Sequence, residues 1–146
     1  MGKINVGRVV VGGLLAGVVL NVFEFVLNEP ILGDQWTAAM ESLNRVAPTG
    51  AGAMMGYVVW NFLLGIALVW FYAAVRPRFG PGPKTAVITG LAVWFVVWFL
   101  GFGGTLLSDM FPSSLVVITL IWEFFEVPIA TLAGAWLYRE GGTPEA

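Results

Sequence analysis

Two acids three residues apart, Glu123 and Glu126, stand inside an apolar run over 115–138, and Pro128 follows them. A carboxylate costs roughly 2.5–3.5 kcal/mol at the centre of a membrane helix, so a run that had only to fill lipid would carry leucine at both positions. A third acid, Glu24, lies near the end of the first apolar run beside Asn21, and Asn61 sits in the second. Carboxyl and carboxamide groups of this kind bind or relay a proton, take a hard cation, or hold a small polar solute. The plainer alternative is glue: a neutral glutamic acid bonded to Asn21, Asn61 or a free carbonyl contributes ~0.6 kcal/mol on average. Pro128 lacks an N–H, so the carbonyl of Phe124 loses its helical partner in the turn that holds both acids.

These residues fall into stripes at helical spacing. The first run carries Gly13, Gly17, Asn21, Glu24 and Asn28, small at one end and polar at the other. The fourth carries Thr119, Glu123, Glu126, Ala130 and Gly134. The second contributes Asn61 and Tyr57, and the third Trp94, Trp98, Gly101, Thr105 and Ser108. Gly13-x-x-x-Gly17 and Gly52-x-x-x-Gly56 fit close helix packing. Counted at 1.5 Å per residue from the outer ends, Glu24 lies ~5 Å deep, Asn21 and Asn61 ~10 Å, Glu123 ~12 Å and Glu126 ~16 Å. The expectation is one carboxylate–carboxamide cluster in the outer half of a bundle.

The chain that must position them has 146 residues, 58% hydrophobic and 11% charged. Soluble domains carry about a quarter charged residues, so the composition is that of an integral membrane protein. A net charge of −2 and the lack of a basic stripe argue against nucleic acid. With no cysteine and no histidine, a disulfide framework and a thiolate nucleophile are excluded, and an ordinary zinc or copper site is disfavoured because carboxylates and amides suit hard cations. No cofactor is implied, and no Ser-His-Asp or Ser-Lys set supports an enzyme. Whether the acids take a metal is open, although a carboxylate di-metal site needs four acids and three are buried here.

Four runs reach spanning length, at about 9–27, 53–75, 85–107 and 115–138, and form a single transmembrane domain over 1–146. Lipid cannot satisfy backbone polar groups, so all four must be helices. The first run is too long for a signal peptide and reads as a retained span. Lys3, Arg8, Arg76, Arg78, Lys84 and Arg139 fall on one side of this arrangement and Arg45 alone on the other. That bias places both termini in the cytoplasm. The segment 76–84, rich in Pro and Gly, reads as a short stiff inner turn.

Between spans one and two, Trp36, Ala39, Met40 and Leu43 recur at helical spacing opposite Gln35, Glu41, Ser42 and Arg45. This predicts a short amphipathic helix on the outer surface, begun by Asp34 as N-cap and stopped by Pro48. It is a connector or a lid over the site below. A weak repeat pairs Trp60-Asn61-Phe62 with Trp122-Glu123-Phe124, as a duplicated helical hairpin would.

The segments Gly12-Gly-Leu-Leu-Ala-Gly-Val-Val-Leu-Asn21, Arg76-Pro-Arg-Phe-Gly-Pro-Gly-Pro-Lys-Thr85 and Glu126-Val-Pro-Ile-Ala-Thr-Leu-Ala-Gly-Ala-Trp-Leu-Tyr138 resemble a group of small four-span bacterial membrane proteins with no assigned activity. The resemblance implies a bacterial inner membrane and imports no chemistry. Small multidrug transporters differ, since their single essential acid lies in span one of a shorter chain.

The sequence therefore predicts an all-α, four-helix membrane bundle. Glu123 and Glu126 would carry charge or proton, Glu24 would be a secondary acid, and Asn21 and Asn61 would orient them in a transport-like binding role. The alternative is a structural accessory subunit of a larger complex. Lipid is the expected surrounding, with other membrane subunits or a homo-oligomer as partners.

Overall fold

The computed structural model describes residues 3–48 and 50–141. Among them the chain is helical, apart from turns and one isolated bridge between Lys3 and Gly141. Helix α1 covers Val6–Val26 and continues through a π-helical turn, Leu27–Ile31; α2 is Gly33–Ser42. Helix α3 covers Ala51–Phe79, and α4 begins as Pro83–Trp94 and runs on through a π segment, Phe95–Phe102, and a 3-10 segment, Gly103–Ser108. Helix α5 is Ser113–Leu137. The segments Val6–Ile31, Ala51–Phe79, Pro83–Ser108 and Ser113–Leu137 are each long and apolar enough to cross a membrane. This is the pattern of a multi-pass membrane protein.

Small residues set the packing. A side chain at Gly13 would collide with the backbone of Ile66, and one at Gly65 with the backbone of Gly13 and Gly17, so α1 and α3 meet almost backbone to backbone. Gly12 and Gly134 bring α1 against α5 in the same way. Gly90 does so for α4 and α5, where a Cβ would stand 2.6 Å from the Cα of Pro128. Around these seams Leu20, Leu68, Val69, Ala86, Val127 and Ala130 are fully buried.

The ends of the helices differ from the sequence reading at several places. The segment expected as an inner turn over 76–84 is mostly helical: α3 continues through Pro77 to Phe79, because a proline in a last turn forfeits only one backbone bond. The turn itself is Gly80-Pro81-Gly82, with positive φ of 84° and 121° at its two glycines. Thr85 Oγ1 donates to the Gly80 carbonyl at 2.7 Å, and the Gly82 N–H donates to the Tyr72 hydroxyl at 3.1 Å.

Helix α2 is where the amphipathic pattern put it, with other punctuation. Leu32 occupies the N-cap and Asp34 lies inside the first turn. Its end comes at Ser42, and Asn44 leaves in the left-handed region at φ 55°, well before Pro48. Gly52 and Gly56 form no packing seam, since a Cβ on either would meet nothing within 4 Å. In span three the π segment gives each turn extra width, so the stripe drawn at ordinary helical spacing breaks there. Gly101 and Ser108 are exposed while Trp94, Trp98 and Thr105 are half-buried.

Candidate functional site

Glu123 and Glu126 come from the same face of α5, three residues apart, and are 1% and 0% exposed. Glu24 reaches them from α1, where it stands two turns before the π-helical end and is half-buried. One carboxylate oxygen from each of the three lies within 4.8 Å of the others. The structure thus gathers the three acids from two helices that the close Gly12–Gly134 contact holds together.

The partners of these acids are unequal. Asn28, one turn beyond Glu24, donates through Nδ2 to Glu24 Oε2, and also to the Glu24 carbonyl at 3.0 Å. Its Oδ1 in turn accepts from the Trp36 indole N–H of α2 at 2.8 Å. A chain Trp36–Asn28–Glu24 therefore runs from α2 to the acids. All four carboxylate oxygens of Glu123 and Glu126, by contrast, are buried without a hydrogen-bond partner. Thr119 Oγ1, one turn before Glu123, and Trp122 Nε1, one turn before Glu126, are buried and unpartnered as well. Unsatisfied groups of this kind are rare in native interiors, and each one calls for an explanation.

Asn21 and Asn61 do not orient the acids by hydrogen bonds. Asn61 Nδ2 donates to Asn21 Oδ1 at 3.2 Å, while Asn21 Nδ2 donates to the Gly17 and Val58 carbonyls at 2.8 and 3.3 Å. The two carboxamides satisfy each other and the backbone across α1 and α3. Asn21 also borders an open apolar groove of about 330 Å³ with Val18, Val22, Phe25, Val58 and Phe62. The carboxamide bonded to an acid is Asn28. Its position four residues after Glu24 was the signal for this, because residues at that spacing share a helix face.

Among the described residues no basic side chain pairs with the trio. The ion pair among these residues is Arg76–Glu140, 3.2 Å apart, with the Arg76 guanidinium also 5.7 Å from the Tyr138 ring. Arg76 belongs to the end of α3 beside the Gly80-Pro81-Gly82 turn, whereas the acids lie toward the α2 end of the bundle. Arg45, in the segment after α2, is exposed.

The Trp36 ring also packs edge-on to Phe111 at 5.5 Å and tilted against Phe102 at 6.2 Å. Ser114 Oγ donates to Gln35 Oε1 at 3.3 Å and ties α2 to the start of α5. Phe23 and Trp122 meet edge to face at 5.8 Å between α1 and α5. The arrangement is an acid trio from α1 and α5, joined to α2 through Asn28 and Trp36.

No protein-family model matches the chain, and no match was found among curated proteins or solved structures.

Proposed function

We propose that this is a bacterial inner-membrane protein, both termini cytoplasmic, that binds or relays a proton, a cation or a small polar solute at Glu24, Glu123 and Glu126. The observation that carries the reading is the pair of fully buried glutamates whose four oxygens have no partner, with a third carboxylate within 4.8 Å. Packing alone gives no reason to retain two such groups, because hydrophobic residues of similar volume are as stable or more so. Acids at membrane depth mark ion and proton pathways by default. Asn21 and Asn61 serve the site by holding α1 against α3, and Asn28 by fixing Glu24. The orientation follows the excess of Lys and Arg on one side of the spans.

Infrared difference spectroscopy on the protein in proteoliposomes tests this. Stepping the pH, or adding cations or solutes, should alter the bands of protonated carboxyl groups, and Glu126→Gln should silence the response. Bands that ignore every perturbation would remove the proposal.

A second reading, an accessory subunit of a larger membrane complex, has its own support in α3. From Ala51 to Trp60 this helix is exposed except for Ala53, and Gly52 and Gly56 present an open small-residue face. Native mass spectrometry of gently extracted protein separates the two, since an accessory chain is recovered with different subunits at fixed stoichiometry.

A further inference from the structure

The reading above leaves the ligand's identity open, and the donor atoms narrow it. The chain has no histidine and no cysteine, so the acid trio can offer oxygen alone. All-oxygen sites suit hard cations. Opposite ligands across a calcium-sized ion are about 4.6–5.2 Å apart, twice the metal–oxygen distance. Three oxygens mutually within 4.8 Å can therefore surround one such ion without moving a helix.

A further oxygen donor lies one helical turn from Glu123 on α5. Thr119 is 7% exposed, and its Oγ1 has no partner. It precedes Glu123 by one turn on the buried face of α5. Helical side chains lean toward the N-terminus, so the Glu123 carboxylate reaches back over the turn that bears Thr119. Its hydroxyl is placed to complete a ligand set rather than to bond its own backbone, as Thr131 does to the Val127 carbonyl at 2.7 Å.

Charge balance sets the stoichiometry. Among the described residues no basic side chain pairs with the trio, and net charge at membrane depth is heavily disfavoured. Three protonated acids sum to zero. Two carboxylates, one carboxylic acid and a divalent ion sum to zero as well. Asn28 donates to Glu24 Oε2 and so favours its carboxylate, which makes Glu24 one of the two acids to give up a proton; Glu123 or Glu126 supplies the other.

We infer that Glu24, Glu123, Glu126 and Thr119 form a site for one hard divalent cation, taken up in exchange for two protons. Two O–H bonds break, two protons leave to water, and no oxidant or reductant takes part. The inference rests on the trio being a binding site and names what it binds.

The test uses the full chain in detergent, stripped by chelator and titrated with Mn2+ while the free-ion paramagnetic resonance signal and an indicator dye are followed. One Mn2+ should bind per chain with release of two protons, Ca2+ should compete, and K+ should not. Glu123→Gln and Glu126→Gln should each weaken binding by more than ~10-fold, at least the loss seen when groups supporting a metal ligand are removed. Thr119→Val, which preserves shape and so does not threaten folding, should weaken it several-fold. Glu29→Gln, an exposed acid outside the trio, should leave it unchanged. Indifference to both Mn2+ and Ca2+, binding that survives Glu126→Gln, or binding without proton release would overturn the inference. If the metal is ignored while the infrared carboxyl bands still respond and Glu126→Gln silences them, the metal assignment alone falls. If both are silent, the broader proposal falls with it.

Discussion

The indole N–H of Trp36 donates to Asn28 Oδ1 at 2.8 Å, and this bond joins the short helix α2 to the acid trio. The same carboxamide donates through Nδ2 to Glu24 Oε2 and to the Glu24 carbonyl, so one side chain bridges α2 and the acid. Helix α2 is therefore linked through Asn28 to an ionisable group. Trp36→Phe keeps the ring packing on Phe102 and Phe111 and removes the bond. It should lower stability by ~1 kcal/mol, the net worth of an ordinary hydrogen bond. It should also speed labelling of the glutamates by a membrane-permeant carbodiimide, because α2 no longer holds Asn28. Unfolding in mixed detergent micelles and mass spectrometry of the labelled protein measure the two effects, and unchanged labelling argues against that link.

The four partnerless oxygens of Glu123 and Glu126 lead to an expectation of opposite sign. Were the acids structural glue, their removal would destabilise the bundle. With no bond to lose, Glu123→Gln/Glu126→Gln should unfold no more easily than wild type, and Glu126→Leu should gain on the order of 1 kcal/mol. Equilibrium unfolding of the metal-free protein decides the matter. A clear loss of stability in both variants would favour the packing role.

Glycine substitutions separate the seams from the open faces. Gly90→Ala forces a methyl to 2.6 Å from the Pro128 Cα, a backbone atom that cannot turn aside. It should cost about 1–3 kcal/mol, typical of overpacking. Gly56→Ala meets open space and should be neutral or slightly stabilising, within about 1 kcal/mol, because alanine is the better helix former. Thermal unfolding of the two proteins reads the contrast directly. If Gly56→Ala lost stability only in the native membrane, a neighbouring chain on that face would be indicated.

Much of this architecture was legible in the residues. Spanning helices follow from run length and from the obligation of backbone in lipid to bond within its own segment, so Val6–Ile31 and its three counterparts were expected to within a few residues. The stripes of spans one and four were equally readable, since a regular helix puts Gly13, Gly17 and Glu24, or Thr119, Glu123 and Glu126, on one side. Span three was not, because nothing in Phe95–Phe102 announces a π segment, and its turns shift the later residues off the stripe. Asn21 and Asn61 bond to each other and to the backbone for another reason. Carboxamides satisfy whichever acceptor is nearest, and the tight α1–α3 seam at Gly17 and Gly65 delivers each to the other. The bond from Trp36 to Asn28 was not legible, because the two belong to different helical segments and only the fold pairs them.

The membrane orientation is the last expectation, and the chain is well suited to testing it, since it contains no cysteine. Ala38 in α2 and Pro81 in the Gly80-Pro81-Gly82 turn are both exposed and lie at opposite ends of the bundle. With six of the seven basic residues flanking the spans on the Pro81 side, that end should remain in the cytoplasm. A membrane-impermeant maleimide applied to spheroplasts should label Ala38→Cys and spare Pro81→Cys until the cells are lysed. The reverse pattern would invert the topology and place the acid trio in the inner half of the membrane. Any exchange of protons for a cation would then open first to the cytoplasm.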